Sequence, residues 1–339
     1  MIRTKQELLE FMTTPSERLI ADVKKIKGDI MILGAGGKVG PAMAIKAKRA
    51  VEAAGTGARV IAVSLFDYPD APTSMRDAGV EVIEADLSDP AALAALPDAE
   101  NIIYMVGKKF GTTGNQSLTW HINVIIPSLV CQRFPKASIV SFSTGNYYGA
   151  IPIKQGGFCE DDEPSPIGEY AQTCLGRERV MEFYSRANGT KMLQFRLNYA
   201  IDLRYGVLYD IAKTIMDGKP VDLTPGVFNC IWQGDVCEYA IRSLLLTATP
   251  PAALNVSSPE AVSIRWAAKE LAKRLGKEVT FVGAEGDTAL FSNCQKMVQL
   301  LGRPQYGMLE MMDMVADWIK QGGDVITAPT HFESTDGKF

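Results

Sequence analysis

Gly34-Ala-Gly-Gly-Lys-Val-Gly40 is a segment whose residue types and spacing do chemistry through the backbone. A residue without a β-carbon lets the chain close tightly and brings main-chain N–H groups up to a phosphate. A helix opening at such a turn adds unpaired N–H groups and a partial positive charge. Glycines at 34, 37 and 40, with Gly36 in addition, suit the pyrophosphate of a dinucleotide, and Lys38 and Val39 sit in the same turn. The plainer alternative is an ordinary tight turn. The end of the next apolar run selects the cofactor, because an acid there bonds ribose hydroxyls and an arginine takes a 2′-phosphate. This chain has Ser64-Leu65-Phe66, neither acid nor base, with Asp67 late. Lys38 can serve a 2′-phosphate or stand as a solvated lysine, and it tips the expectation from NAD toward NADP.

The turn needs a strand before it and a helix after it, and the sequence supplies both. Residues 29–33 are an apolar run, and a stretch rich in Ala, Lys and Met follows the turn as far as Gly55. Strand-like runs recur at 59–64, 80–84, 101–106, 138–142 and 192–196, with helix-like segments between them. This alternation predicts an α/β fold, a Rossmann-type doubly wound parallel sheet covered on both faces. Residues 28–200 form the expected dinucleotide-binding domain. Residues 201–325 read as a smaller substrate-binding domain interleaved with it, with helices at 205–218 and 235–247. Residues 1–27 read as two packing helices opened by capping boxes, Thr4 with Glu7 and Thr14 with Pro15 and Glu17. The polar tail, 326–339, is expected to drape over the surface.

Composition narrows the partners. The 339 residues carry 35 basic and 39 acidic side chains, a net charge of −4 with no basic block, which argues against nucleic acid. No apolar run reaches the roughly 18 residues of a membrane span, and the N-terminus has no secretory signal pattern. Two histidines and six cysteines without a C-x-x-C pair exclude a His/Cys metal cage. The expectation is a cytoplasmic protein with reduced thiols and a small-molecule substrate.

The order of these pieces resembles the extended short-chain dehydrogenase/reductase family, also called the NAD-dependent epimerase/dehydratase family, over roughly residues 28–320. The glycine turn fits its G-x-x-G-x-x-G. Asp86-Leu87 is similar to the pair beside the adenine, and Met105-Val106-Gly107 falls where the fourth strand passes the cofactor. Lys109 matches a lysine that touches the pyrophosphate, Asn123 resembles the family's helix asparagine, and Asn198 is a further cofactor candidate. Ser141-Phe-Ser-Thr-Gly-Asn-Tyr-Tyr-Gly149 resembles the fifth-strand motif and puts Thr144 at the catalytic hydroxyl. Tyr170 falls at the catalytic tyrosine, a position that the resemblance also places against the cofactor. The resemblance implies an NAD(P)-dependent oxidoreductase or epimerase, with Tyr170 as general acid/base and Thr144 polarising the reacting oxygen. It also implies a homodimer packed through the Tyr170 helix, for which Leu175, Val180, Met181 and Phe183 suit either the interface or the core.

Three departures from the family sharpen this. The signature Y-x-x-x-K ends here on Cys174, so the lysine that lowers the tyrosine's pKa is missing. Free tyrosine has a pKa of about 10, and the gap to pH 7 is on the order of 4 kcal/mol. Tyr170, Cys174 and Arg177 share one helix face at spacings of four and seven. Arg177 can lend charge without donating a proton, or it is a surface arginine paired with an acid; Cys174 is otherwise a small packing residue. Thr144-Gly145-Asn146 lacks the Thr-Asp-Glu of the dehydratases. Phe228 stands where nucleotide-sugar members have an arginine for the diphosphate, so a small sugar, sugar acid or polyol is expected rather than a nucleotide sugar. Substrate candidates are Lys108, Asn146, Tyr147, Tyr199, Arg204 and Trp232, with Arg196, Asn198 and His121 behind them. Tyr147 and Trp232 read first as core aromatics and His121 first as a helix-packing residue, while Arg196 reads equally as a sheet anchor. The alternative function is a catalytically silent NAD(P)-binding redox sensor or partner-binding protein.

Overall fold

Seven short runs of β-branched and aliphatic residues assemble into one parallel sheet in the computed structural model, which describes residues 2–66, 70–326 and 330. Asp67 and nearly all of the tail lie outside the described residues. The strands are β1 (Ile30–Leu33), β2 (Val60–Ser64), β3 (Glu81–Glu84), β4 (Asn101–Tyr104), β5 (Ser138–Thr144), β6 (Met192–Leu197) and β7 (Ala252–Val256). Their spatial order is β7-β6-β5-β4-β1-β2-β3, every neighbour parallel. β1 and β4 are buried at every position, as strands covered on both faces must be, whereas the edge strand β3 exposes Glu81 and Glu84. Ile30 pairs with Val60 of β2 on one side and Asn101 of β4 on the other, so chain order reverses at β1. A doubly wound sheet opens its ligand crevice at the carboxyl ends of the strands on either side of such a reversal.

The helix Gly40–Ala54 follows β1 directly, buries an Ala- and Met-rich face and stops at Gly55, whose φ of +66° is a left-handed cap. The helix Gly168–Asn188, which carries Tyr170, packs against the segment Gln116–Trp120, the π turn His121–Ile125 and the helix Ile126–Arg133.

The two N-terminal helices are Lys5–Thr13 and Glu17–Val23. The Thr4–Glu7 capping box forms in both directions. The second expected cap does not: Thr14 closes the first helix, its hydroxyl donating to Glu10 O at 2.8 Å, and Ser16 caps the second by accepting the Leu19 N–H. Pro15 between them ends one helix before the next begins. Leu8, Met12 and Leu19 join the same buried cluster as Ile30, Phe195, Trp232, Leu271 and Trp318. One core therefore runs from the first helix through the sheet to the last helix, Met308–Lys320. Beyond β6 the expected helices form as Val207–Met216 and Gln233–Arg242, the latter running into a 3-10 turn. No helix among the described residues is long and apolar enough to cross a membrane.

Candidate active site

The glycine turn follows β1 directly and lies against the chain that leaves β4. Gly34 has a φ of +89°, and a β-carbon on it would stand 2.8 Å from Val106 N. On Gly36 it would meet Ser64 Oγ at 2.6 Å, and on Gly40 the Ala35 carbonyl oxygen at 2.1 Å. These three positions are closed against protein and take only glycine. Gly37 differs: its β-carbon would meet nothing nearer than Gly34 O at 3.7 Å, so the turn has one open face. The helix Gly40–Ala54 opens there without a side-chain cap; Gly40 N–H donates to Gly37 O at 3.0 Å and Pro41 has none, so Ala42 in the third position is the first helix N–H left for an anion. A closed turn with one open face and an uncapped helix start fit a dinucleotide pyrophosphate. Ser64 at the end of β2 lies against this turn, and Asp86-Leu87 follow β3. The Asp86 carboxylate accepts the N–H and hydroxyl of Ser88 at 2.8 and 2.7 Å, which holds it below the usual carboxylate range.

Beside the turn is a cavity of about 290 Å³. The residues expected at the site that meet there are Lys38, Val39, Met105, Gly107, Lys109 and Thr144, together with Asn146, Tyr170, Arg177, Asn198 and Tyr199. The Tyr170 hydroxyl shares hydrogen bonds with Thr144 and Cys174. Burial above all, and then Cys174, push the Tyr170 phenol upward, while Arg177 and Thr144 pull it back. Thr144 Oγ1 also accepts the Asn146 N–H at 3.2 Å. Lys109 Nζ lies 6.0 Å from the centre of the Tyr170 ring, and burial lowers its ammonium to about 8.

Arg177 is no surface arginine; it is 4% exposed and forms the floor of the cavity. Its Nη1 donates to Phe142 O on β5 at 2.7 Å, its Nε to Asn123 O at 3.2 Å and its Nη2 to Asn123 Oδ1 at 3.1 Å. All three partners are neutral. Cys174 Sγ lies 4.0 Å from Nη2, between the guanidinium and the Tyr170 hydroxyl. Asn123 is fully buried, and its amide also donates to Thr173 Oγ1 and Lys108 O while its Oδ1 accepts the Lys108 N–H. The local sequence explains why Asn123 O is available. Pro127, four residues on, has no N–H to give it, and the π turn at His121–Ile125 shifts the ladder at the same place. The signal, a proline four residues after an asparagine, is visible in the sequence.

Several expected site residues stand elsewhere. Trp232 is 1% exposed and packs against Phe11 and Tyr306 with ring centres 5.8 and 6.1 Å away, so it is core. Arg196 anchors the sheet through a buried ion pair with Glu178 at 2.8 Å, and Tyr147 stacks on its guanidinium at 3.9 Å. Arg204 pairs with Asp202 at 2.7 Å, and Lys108 is held by its backbone to Asn123. These four substrate candidates (Trp232, Tyr147, Arg204 and Lys108), with Arg196 and His121, lie off the cavity wall. Lys38 does not turn toward the end of β2, where a 2′-phosphate would be read. Its Nζ lies 3.0 Å from the centre of the Tyr205 ring, inside the cavity. Met181 is buried in the core, which removes it from the expected dimer face, whereas Phe183 is 64% exposed. Tyr205, Phe110, Phe142 and Thr330 also line the cavity and were not anticipated. Thr330, the one described residue of the tail beyond 326, is buried and bonded to Asp210, so at this point the tail does not merely drape.

The glycine cradle at a sheet reversal, with a tyrosine and a threonine hydroxyl beside it, defines a dinucleotide-dependent enzyme of the Rossmann class. Residues 30–201 match the NAD dependent epimerase/dehydratase family, and the chain belongs to it. Comparison with curated proteins gives no match. Among solved structures, the chain is similar to UDP-glucuronic acid 4-epimerase from Bacillus cereus in complex with NAD. The TM-score is 0.69 at 18% identity, covering 86% of this chain and 99% of that one. It is also similar to dTDP-glucose 4,6-dehydratase from Bacillus anthracis in complex with NAD, with a TM-score of 0.73 at 15% identity, covering 87% and 97%. The UDP-Glc/GlcNAc 4-epimerase from Campylobacter jejuni gives 0.70 at 18%, covering 87% and 100%. At these identities the likeness shows the fold.

The open face of the turn predicts a separation of folding from binding. Gly37→Val should leave the urea midpoint nearly unchanged and abolish NADH binding by calorimetry; retained binding would contradict the placement of the pyrophosphate.

Proposed function

We propose that this chain is an NAD-dependent oxidoreductase or epimerase acting on a hydroxyl/carbonyl pair of a small polyhydroxylated substrate. The observation that carries the reading is the convergence of Thr144 and Tyr170 on one cavity beside the glycine turn. The dinucleotide, held by the turn, the start of the helix Gly40–Ala54 and Lys109, supplies hydride exchange when bound. Tyr170 moves the proton of the reacting oxygen, and Thr144 hydrogen-bonds that oxygen and fixes the phenol. Arg177 contributes a fixed positive charge that favours the phenolate, with the Cys174 thiol between them. Raised by burial, Tyr170 rests as the neutral acid, the form that protonates a carbonyl oxygen.

Two observations support a small substrate. Phe228 is 2% exposed in the core, on a strand pair with Val262, and a buried phenyl ring there offers a diphosphate nothing. The cavity lies at the low end of the range for ligand pockets, about 300–1,000 Å³. This reading departs from the structural neighbours named for nucleotide sugars. For the cofactor, the position of Lys38 removes the reason to prefer NADP. The complexes of similar structures with NAD support NAD instead. A homodimer is supported by Leu118, Trp120, Ile125 and Phe183, large exposed apolar residues all on the Tyr170 helix and the segments beside it. Sedimentation velocity should give a dimer for the wild type and a monomer for Phe183→Glu.

The function is tested with NADH or NAD and a panel of sugars, sugar acids and polyols. Tyr170→Phe should lower turnover by about 10²–10⁴-fold and leave NADH affinity unchanged. The direction of the Tyr170 shift sets the pH dependence. Because the folded pKa is raised, reduction should hold level through neutral and mildly alkaline pH, while oxidation, which needs the phenolate, should rise with pH. Tight NADH binding with no turnover on any of the panel would favour the silent sensor.

A further inference from the structure

We propose that Lys38 is the seat of a substrate carboxylate, so that the enzyme prefers a small sugar or hydroxy acid over the matching neutral polyol. The inference rests on the preceding reading of the site and names its substrate class.

Lys38 comes from the glycine turn, yet its ammonium extends across the cavity to the ring of Tyr205, in the chain that follows β6. It therefore faces the same space as Tyr170 and Asn146 rather than the ribose end of the crevice. Among the described residues, the wall of this cavity includes Lys38, Lys109 and Arg177 but no aspartate or glutamate. The two carboxylates that act on Lys38 are engaged elsewhere. Asp202 is fully buried and holds Arg204 at 2.7 Å, and Asp210 accepts both the N–H and the hydroxyl of Thr330. Lys38 keeps contact with cleft water, but the protein around it lowers its ammonium to about 7, through burial first and with Lys109 and Arg204 adding to it. An ammonium on the wall of an open cavity that has no carboxylate in contact with it favours an anionic ligand entering that cavity.

The rival source of an oxyanion is the cofactor's pyrophosphate. The open face of the turn at Gly37 already gives it a place against the backbone, away from the Lys38 ammonium. A lysine ammonium paired with a carboxylate in a cleft is worth about tenfold or more in affinity. That bond distinguishes acid from alcohol at one carbon.

The test compares D-glucuronate with D-glucose, which differ only in a carboxylate against a hydroxymethyl group, by calorimetry on the NADH-loaded protein. The wild type and Lys38→Arg should bind glucuronate about tenfold or more tighter than glucose. In Lys38→Gln that preference should vanish, with NADH affinity as in the wild type. Equal binding of the two sugars by the wild type, or absence of glucuronate binding, would overturn the proposal. So would a Lys38→Gln protein that loses NADH affinity, which would assign the lysine to the pyrophosphate. Failure of the wild type to bind NADH, seen before any sugar is added, would instead remove the proposed function itself.

Discussion

A buried guanidinium must have its donors satisfied, and that constraint on Arg177 organises the rest of the site. One side chain ties β5 through Phe142 O to the π turn through Asn123 O and Oδ1. Asn123 in turn fixes both backbone groups of Lys108, and so the path of the chain leaving β4. Gly107 has room for no side chain there, since a β-carbon would approach Arg177 Nη2 to 2.9 Å. The helix that supplies Arg177 also supplies Cys174 and Tyr170, so anchoring the guanidinium to β5 and the π turn anchors the stretch that carries the phenol. Breaking such a contact leaves buried polar groups without partners, which is why its cost exceeds that of one hydrogen bond.

The charge in the site follows from the same arrangement. The position four residues after Tyr170 carries a thiol where the family has an ammonium, and positive charge arrives one turn later from Arg177. Arginine stays ionised when buried, so it acts as a permanent field on the Tyr170 phenol. The two lysines of the cavity behave differently. Both ammonium groups are lowered toward neutral pH, to about 7 for Lys38, which still reaches cleft water, and to about 8 for Lys109.

Local backbone constraints were the most legible part of the sequence. The glycine turn, the strands that flank it and the Thr4–Glu7 cap depend on neighbours a few residues away, and they form where the pattern places them. Side-chain direction was not legible. Lys38 lies in the glycine turn yet points to the Tyr205 ring in the cavity, a direction that its place in the turn does not announce. The segment beyond β6 was hardest to read, because Tyr205 and Thr330 reach the cavity through long-range packing that leaves no periodic signal. Ser16 rather than Thr14 capping the second helix is a smaller case, decided by which hydroxyl precedes the helix once Pro15 has stopped the first. Asn123 with Pro127 is the opposite: a pairing present in the sequence whose meaning emerges only when Arg177 is seen to use the freed carbonyl.

The central claim is that Arg177 occupies the electrostatic place of the missing lysine. A double-mutant cycle on Cys174→Lys and Arg177→Met, read as unfolding free energy in urea with NADH present, tests it most directly. Two cations about 4 Å apart at an effective dielectric near 20 repel by on the order of 4 kcal/mol. Each single change should therefore destabilise the protein, and the pair should be less damaging than their sum by about 1–3 kcal/mol. Additivity within about 0.5 kcal/mol, with Cys174→Lys tolerated beside an intact Arg177, would contradict the account.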